Sequence, residues 1–170
     1  MSEPIEVTNL MANPKPVNVS AWRAGPGKDV SVSMSDGWMQ VTNNTKSNDC
    51  YVYAHIQLPA GAWRYGAELG EPVGGFAPNE LRFIRLDPIQ ELQKASWDGT
   101  PGRIVTPANT LETSTQVELR IMVGPNAGDA VRVRRLLIMT DDDYNAMHDA
   151  GVEWFDGDTY QRNSVGGAIS

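Results

Sequence analysis

Polar and apolar residues alternate with a period of two along most of this chain, the pattern of half-buried β-strands. In VNVSAW, Val17, Val19 and Ala21 share a face, and in DVSVSMSDGWMQV, Val30, Val32 and Met34 alternate with serines. Asp36–Gly37, set between two such runs, predicts a tight hairpin turn. CYVYAHIQL alternates throughout, with Cys50, Val52, Ala54 and Ile56 on one side and Tyr51, Tyr53 and His55 on the other. LPAGAWRYGAEL opens on a Pro–Gly turn and sets Trp63, Tyr65, Ala67 and Leu69 against Arg64 and Glu68. ELRFIRL is mixed, as for a strand covered on both faces. QVELRIMV places Val117, Leu119, Ile121 and Val123 inside and Glu118, Arg120 and Met122 outside. AVRVRRLLIM alternates through Arg134 and loses its period at Arg135, which predicts a β-bulge.

About eight to ten strands separated by Gly, Pro and Asn turns predict an all-β antiparallel sandwich. One helix is expected, in TDDDYNAMHDAG: Thr140 or Asp141 caps it, early acids suit its positive end, and Gly151 stops it. Tyr144, Met147 and His148 share a face of that helix. DPIQELQKASWDG is open to two readings, a short helix begun by Pro88 or a loop carrying Trp97. With no repeat or linker, one domain is expected over residues 1–158. Residues 1–16 form an extended arm, and a polar tail covers 159–170. Before that tail, Val152, Trp154 and Phe155 make a short apolar run, and Asp156–Gly157 turns the chain away.

The 170 residues are enough to bury a core. A net charge of −7 argues against nucleic acid and anionic membrane surfaces as partners, since Lys and Arg are not in surplus. The N-terminus, MSEPIEVTNL, has neither a basic start nor an apolar stretch, so synthesis in a cytoplasm is expected. The lone Cys50 excludes an internal disulfide and reads as a small buried hydrophobe.

Four groups of residues are candidates for chemistry. Tyr51, Tyr53 and His55 project from one strand face, where Glu118, Arg120, Arg132 and Arg134 join them if their strands share that sheet. Rings beside hydrogen-bonding charges suit a sugar, with C–H faces on the rings and hydroxyls on the polar groups; equally, aromatic–Arg pairs stabilise a sheet on their own. Trp22 follows the polar parity of its strand and Trp97 lies before DGTPG. Either is a ligand platform or, as favoured for an acidic chain without a pocket motif, a protein–protein anchor. Asp141, Asp142, Asp143, Asp156 and Asp158 bring carboxylates suited to calcium, but their spacing is not that of an EF-hand. Caps and turns explain them, so no metal or other cofactor is expected. His55 and His148 lack a nucleophile or metal-ligand spacing, and Glu68, Glu71 and Glu80 form no recognisable dyad. With no GxSxG, HExxH or P-loop either, no enzyme is expected.

Four segments resemble a known kind of protein. TNLMANPKPVNVSAW is similar to the NL-x-x-NP openings of carbohydrate-binding-module-like jelly rolls. LPAGAWRYGAELGE resembles the strand those modules use after a Pro–Gly turn, and VELRIMVGPNAGDAVRVRRLLIMTDDDY their final strand pair. GVEWFDGDT is similar to the YFDGDT close of tail-associated proteins of actinobacterial phages and prophages. The resemblance implies a galactose-binding-like jelly roll acting as a non-enzymatic virion protein of the tail or baseplate. Its expected partners are other virion proteins, further copies of itself, and a host-surface glycan. The alternatives it leaves are a host-attachment glycan module and a capsid decoration protein. The resemblance carries no sugar-binding motif onto these faces; read from the residue pattern itself, Tyr51, Tyr53, His55, Trp97 and Arg120 are the glycan candidates, and Trp22, Trp154 and Phe155 the interface candidates. Two features depart from the pattern: Arg134–Arg135 replaces an Asp–Asn pair, which removes ligands for a structural calcium, and YQRNSVGGAIS replaces a Trp–Thr–Gly segment.

Overall fold

A computed structural model describes residues 5–8, 22–46, 49–75, 80–151 and 159–162. Its first strands are β1 (Ile5–Thr8), β2 (Arg23–Ala24), β3 (Val30–Ser35), β4 (Trp38–Asn43), β5 (Tyr51–Leu58) and β6 (Gly61–Leu69). Then follow β7 (Glu80–Leu86), β8 (Ile89–Ser96), β9 (Gly102–Val105), β10 (Asn109–Leu111), β11 (Thr115–Met122) and β12 (Ala130–Thr140). Helix α1 (Asp141–Asp149) and strand β13 (Thr159–Arg162) close the series.

Two antiparallel sheets face each other, as the alternation requires. One runs β2-β5-β11-β7-β8 and the other β10-β6-β12-β4-β3, with β9 also paired to β6. Between them lie Met39, Val41, Val52, Leu58, Trp63, Tyr65, Leu69, Leu81, Phe83, Leu119, Ile121 and Val133, all buried. Cys50 is fully buried, as a small apolar residue in its place would be. Tyr65 crosses the core and donates its hydroxyl to the carbonyl of Arg120, 3.3 Å away, tying the two sheets together. Burial holds that phenol neutral, well above the usual tyrosine range.

Local chemistry explains the joints. Asp36 and Gly37 both take positive φ (52° and 80°), the geometry of a type I′ hairpin between β3 and β4. Thr140 caps α1 by accepting from the Asp143 N–H, three acids fill its first turn, and Gly151 adopts φ 74° beyond its end. In β12 the pairing with β6 slips between Arg134 and Leu137, and Arg135 sits at φ 53°, so the bulge falls where the period breaks. Past it, Leu136 and Ile138 enter the main core, while Leu137 and Met139 face outward and pack under Met147 of α1. The helix covers the second apolar face of this strand.

The structure revises some of these expectations, and others fall outside the residues it describes. DPIQELQKASWDG is neither helix nor loop: Asp87–Pro88, joined by a cis bond, is a two-residue turn, and Ile89–Ser96 is an edge strand of the first sheet. Trp22 and Trp97 are not exposed anchors or platforms but core residues, at 5 % and 6 % exposure. Each follows the parity of the strand it adjoins: Trp22 precedes the outward Arg23 of β2, and Trp97 continues the inward phase of Ala95 in β8. Met122, read as outward, is buried at the end of β11. The run Val17–Ala21, and Val152, Trp154, Phe155, Asp156 and Asp158, lie outside the described residues. Thr159–Arg162, the start of the expected polar tail, pairs antiparallel with Ile5–Thr8, so an ordering partner for these residues exists within the chain.

Candidate functional site

The outer face of the β2-β5-β11-β7-β8 sheet collects most of the predicted binding residues. Register sets them in rows. Tyr53 lies opposite Arg23 of β2 and Arg120 of β11, Arg120 opposite Arg82 of β7, and Arg82 opposite Lys94 of β8. One step along, His55 faces Glu118, which faces Ile84, which faces Glu91. A single aromatic thus stands in a cationic row, bordered by an acidic one.

The charges interlock. The Glu118 carboxylate, nearly buried, meets His55 Nε2 at 2.8 Å and accepts from Arg120 Nε at 2.5 Å. Glu80 meets Arg82 at 2.8 Å and Lys94 at 3.6 Å, and Glu91 meets Arg82 at 3.4 Å. Each of these partly exposed pairs adds little stability alone, but together they fix the guanidinium planes.

Tyr51 and Tyr53 then part in role. The Arg120 guanidinium lies 4.3 Å over the Tyr51 ring, and a methyl group at Gly25 would come within 2.6 Å of that ring's Cζ. Since β2 and β11 flank β5 on opposite sides, Gly25 and Arg120 close Tyr51 from both directions. Burial raises its phenol pKa, with Arg120 opposing. Tyr51 is a clamp holding Arg120. Tyr53 and His55, with centroids 5.0 Å apart and planes tilted 38°, make the aromatic surface, and the His55 side chain is 40 % exposed.

The expected grouping is therefore only partly realised. Tyr51, Tyr53, His55, Glu118 and Arg120 meet, but Arg132 and Arg134 belong to the other sheet, where they lie 5.5 and 4.1 Å from the Trp38 ring. Trp97 is withdrawn from the site by its burial. Arg23, Glu80, Arg82, Glu91 and Lys94 were missed. The polar parity of ELRFIRL holds the signal for Glu80 and Arg82, obscured by the apolar Ile84, which shares their outward parity and lies covered between Glu118 and Glu91. Among the described residues no cluster of three or more acidic, His or Cys side chains is placed to hold a metal ion, and no helix is long and apolar enough to cross a membrane.

No family model matches the chain, and no curated protein matches it either. Solved structures do. The CBM22-1 xylan-binding domain of Paenibacillus barcinonensis Xyn10C superposes with a TM-score of 0.54 at 14 % identity, over 80 % of this chain and 92 % of that one. The CBM22-1-GH10 modules of Clostridium thermocellum Xyn10B, complexed with xylohexaose, give 0.51 at 15 % identity, over 81 % of this chain but 28 % of that one. A family 29 carbohydrate-binding module gives 0.48 at 10 % identity, over 82 % of this chain and 90 % of that one. At these identities the likeness is one of fold, and the fold is the jelly-roll sandwich of carbohydrate-binding modules.

Proposed function

We propose that this chain is a non-catalytic glycan-binding module whose site is the outer face of the β2-β5-β11-β7-β8 sheet, centred on Tyr53. The observation that carries this reading is the setting of that ring: Arg23 and Arg120 flank it in register, and His55, held by Glu118, stands beside it. A sugar ring would stack its C–H face on Tyr53 and His55, with hydroxyls meeting the forked guanidinium and carboxylate groups. The pre-paired ions need no reordering on binding, which lowers its entropic cost. The face is open and its carboxylates are already engaged, which suits binding rather than bond cleavage. The names of the neighbours, a xylan-binding domain and modules complexed with xylohexaose, support a glycan as the ligand class.

Xylohexaose and the cell-wall polysaccharides of actinobacteria are the first probes. Tyr53→Ala is expected to weaken binding by about tenfold or more, equivalent to about 1.4 kcal/mol, with the melting temperature little changed. Titration calorimetry on both proteins reads this directly. Equal affinity of the two proteins would remove Tyr53, and with it this face, from the proposal.

The setting we propose is a virion, where the module would sit on the tail and many copies would raise a weak affinity to a useful one. Residues 151–159 support this through their likeness to the close of phage tail-associated proteins, with Trp154 and Phe155 as assembly anchors. Proteomics of purified particles lacking the chain would withdraw the setting and leave the sugar site standing.

A further inference from the structure

The opposite surface of the sandwich carries a groove of about 630 Å³ between β6, β9, β12 and α1. We infer that it binds the carboxylate or phosphate group of an anionic sugar, independently of the Tyr53 face. Its lining includes Arg64, Arg103 and Arg135 against one carboxylate, Glu68, in a chain whose net charge is −7.

Three observations place those arginines for a ligand. First, the bulge in β12 brings consecutive residues to one face: Arg134 and Arg135 both reach Glu68, at 2.7 and 3.1 Å. Arg135 does so from φ 53°, a left-handed backbone unfavourable for a side-chain-bearing residue, and such bulges re-aim side chains. Second, Arg103 lies directly across from Glu68 in the β6–β9 register, yet its Nε is buried without a hydrogen-bond partner among the described residues. A buried guanidinium donor left unsatisfied is costly, and an anion in the groove would supply the acceptor. Third, Tyr144 and His148 form a near-parallel pair, with centroids 6.4 Å apart and planes at 28°, that walls the groove, and the Arg64 guanidinium sits 5.2 Å over Tyr144. Arg64 is itself held by Asp141 at 2.5 Å and by the Thr106 carbonyl at 3.3 Å. Forked donors for an anion beside an aromatic wall for a pyranose ring specify a charged sugar over a neutral one or a bare anion.

The full chain is titrated with glucuronate, glucose phosphate, inorganic phosphate and glucose, following the Tyr144 and His148 resonances. Both sugar anions or either one should bind more tightly than glucose and inorganic phosphate, and raising salt from about 50 to about 500 mM should weaken that binding severalfold. Arg103→Met should reduce the affinity about fivefold or more, whereas Glu68→Gln, which frees the arginines from their internal carboxylate, should raise it. A gain on losing Glu68 is not expected of a merely structural ion pair, and this variant decides the matter if Arg103→Met does not fold. The inference is overturned if neither sugar anion binds better than glucose, if inorganic phosphate binds as well as the sugar anions, or if Glu68→Gln leaves affinity unchanged. Loss of binding at the Tyr53 face in Tyr53→Ala should leave all four titrations as they were, so the two sites fail separately.

Discussion

Replacing Trp97 by alanine is expected to destabilise the protein by about 3–5 kcal/mol, the range found for buried Phe or Trp truncations. Only 6 % of Trp97 is exposed, and the residue belongs to the main core cluster. Its indole N–H donates to the Thr100 carbonyl at 2.6 Å, while the Asp98 carboxylate accepts from the Thr100 N–H at 2.9 Å. Hydrogen bonds from the Thr100 N–H and side chain hold the Asp98 carboxyl below the usual carboxylate range. The ring therefore fills core volume and pins the turn that leads from β8 to β9. Alanine would leave a cavity that surrounding strands cannot close, because both sheets are fixed by their ladders. Urea unfolding monitored by circular dichroism measures the loss. Trp97→Phe should recover much of the stability, lacking only the N–H and part of the ring. Had Trp97 been an exposed sugar platform, alanine would abolish binding and leave the unfolding midpoint nearly unchanged. That outcome would contradict the placement of the residue.

Removal of the Asp129 carboxylate is expected to cost about 1.5–3 kcal/mol, the range for hydrogen bonds to a charged group, since its two N–H donors are only partly buried. Asp129 is 4 % exposed. One oxygen accepts from the Gly75 N–H at 2.8 Å and the other from the Asn126 N–H at 3.0 Å, so one side chain staples two loops beside β12. The glycines around it permit this approach. A methyl group at Gly74 would lie 2.4 Å from a carboxylate oxygen, and one at Gly124 would lie 2.6 Å from the carboxylate and 2.7 Å from the Gly75 carbonyl. Asp129→Ala leaves both N–H groups unpaired. Asp129→Asn keeps one acceptor and sets an NH2 against the other donor, so it should fall between wild type and alanine. Gly124→Ala should be destabilising as well, since the obstacle includes backbone. An Asp129→Ala protein as stable as the parent would mean that the loops find other acceptors.

The two largest expected effects lie at positions that the residue pattern either misread or did not single out, and the reason is physical. Alternation reports which face of a strand is wet, so it located β3 to β6 and β11, the inward set Trp63, Tyr65, Leu119 and Ile121, and the outward set Tyr51, Tyr53 and His55. Broken alternation at Arg135 located the bulge, and cap chemistry located α1 with its stop at Gly151. Trp22 and Trp97 read as outward because the phase of VNVSAW does not carry into β2, where Trp22 precedes the outward Arg23, and because β8, whose inward Ala95 sets the phase of Trp97, does not read as a strand. Parity is blind to polar edge strands such as Ile89–Ser96, whose exposed residues resemble those of a loop.

What the amino-acid sequence determined alone is the sandwich itself, because a period of two can bury its apolar half only between facing sheets. Which strands are neighbours was decided by the tertiary structure. Pairing of β5 with β11 and β7 gathers Tyr53, Arg120, Arg82 and Glu118 on one surface. Pairing of β12 with β6, and of β6 with β9, carries Arg134, Arg135 and Arg103 to the opposite one around Glu68. Side-chain period fixes the face a residue occupies on its own strand; only long-range backbone hydrogen bonding fixes which residues of distant strands share that face.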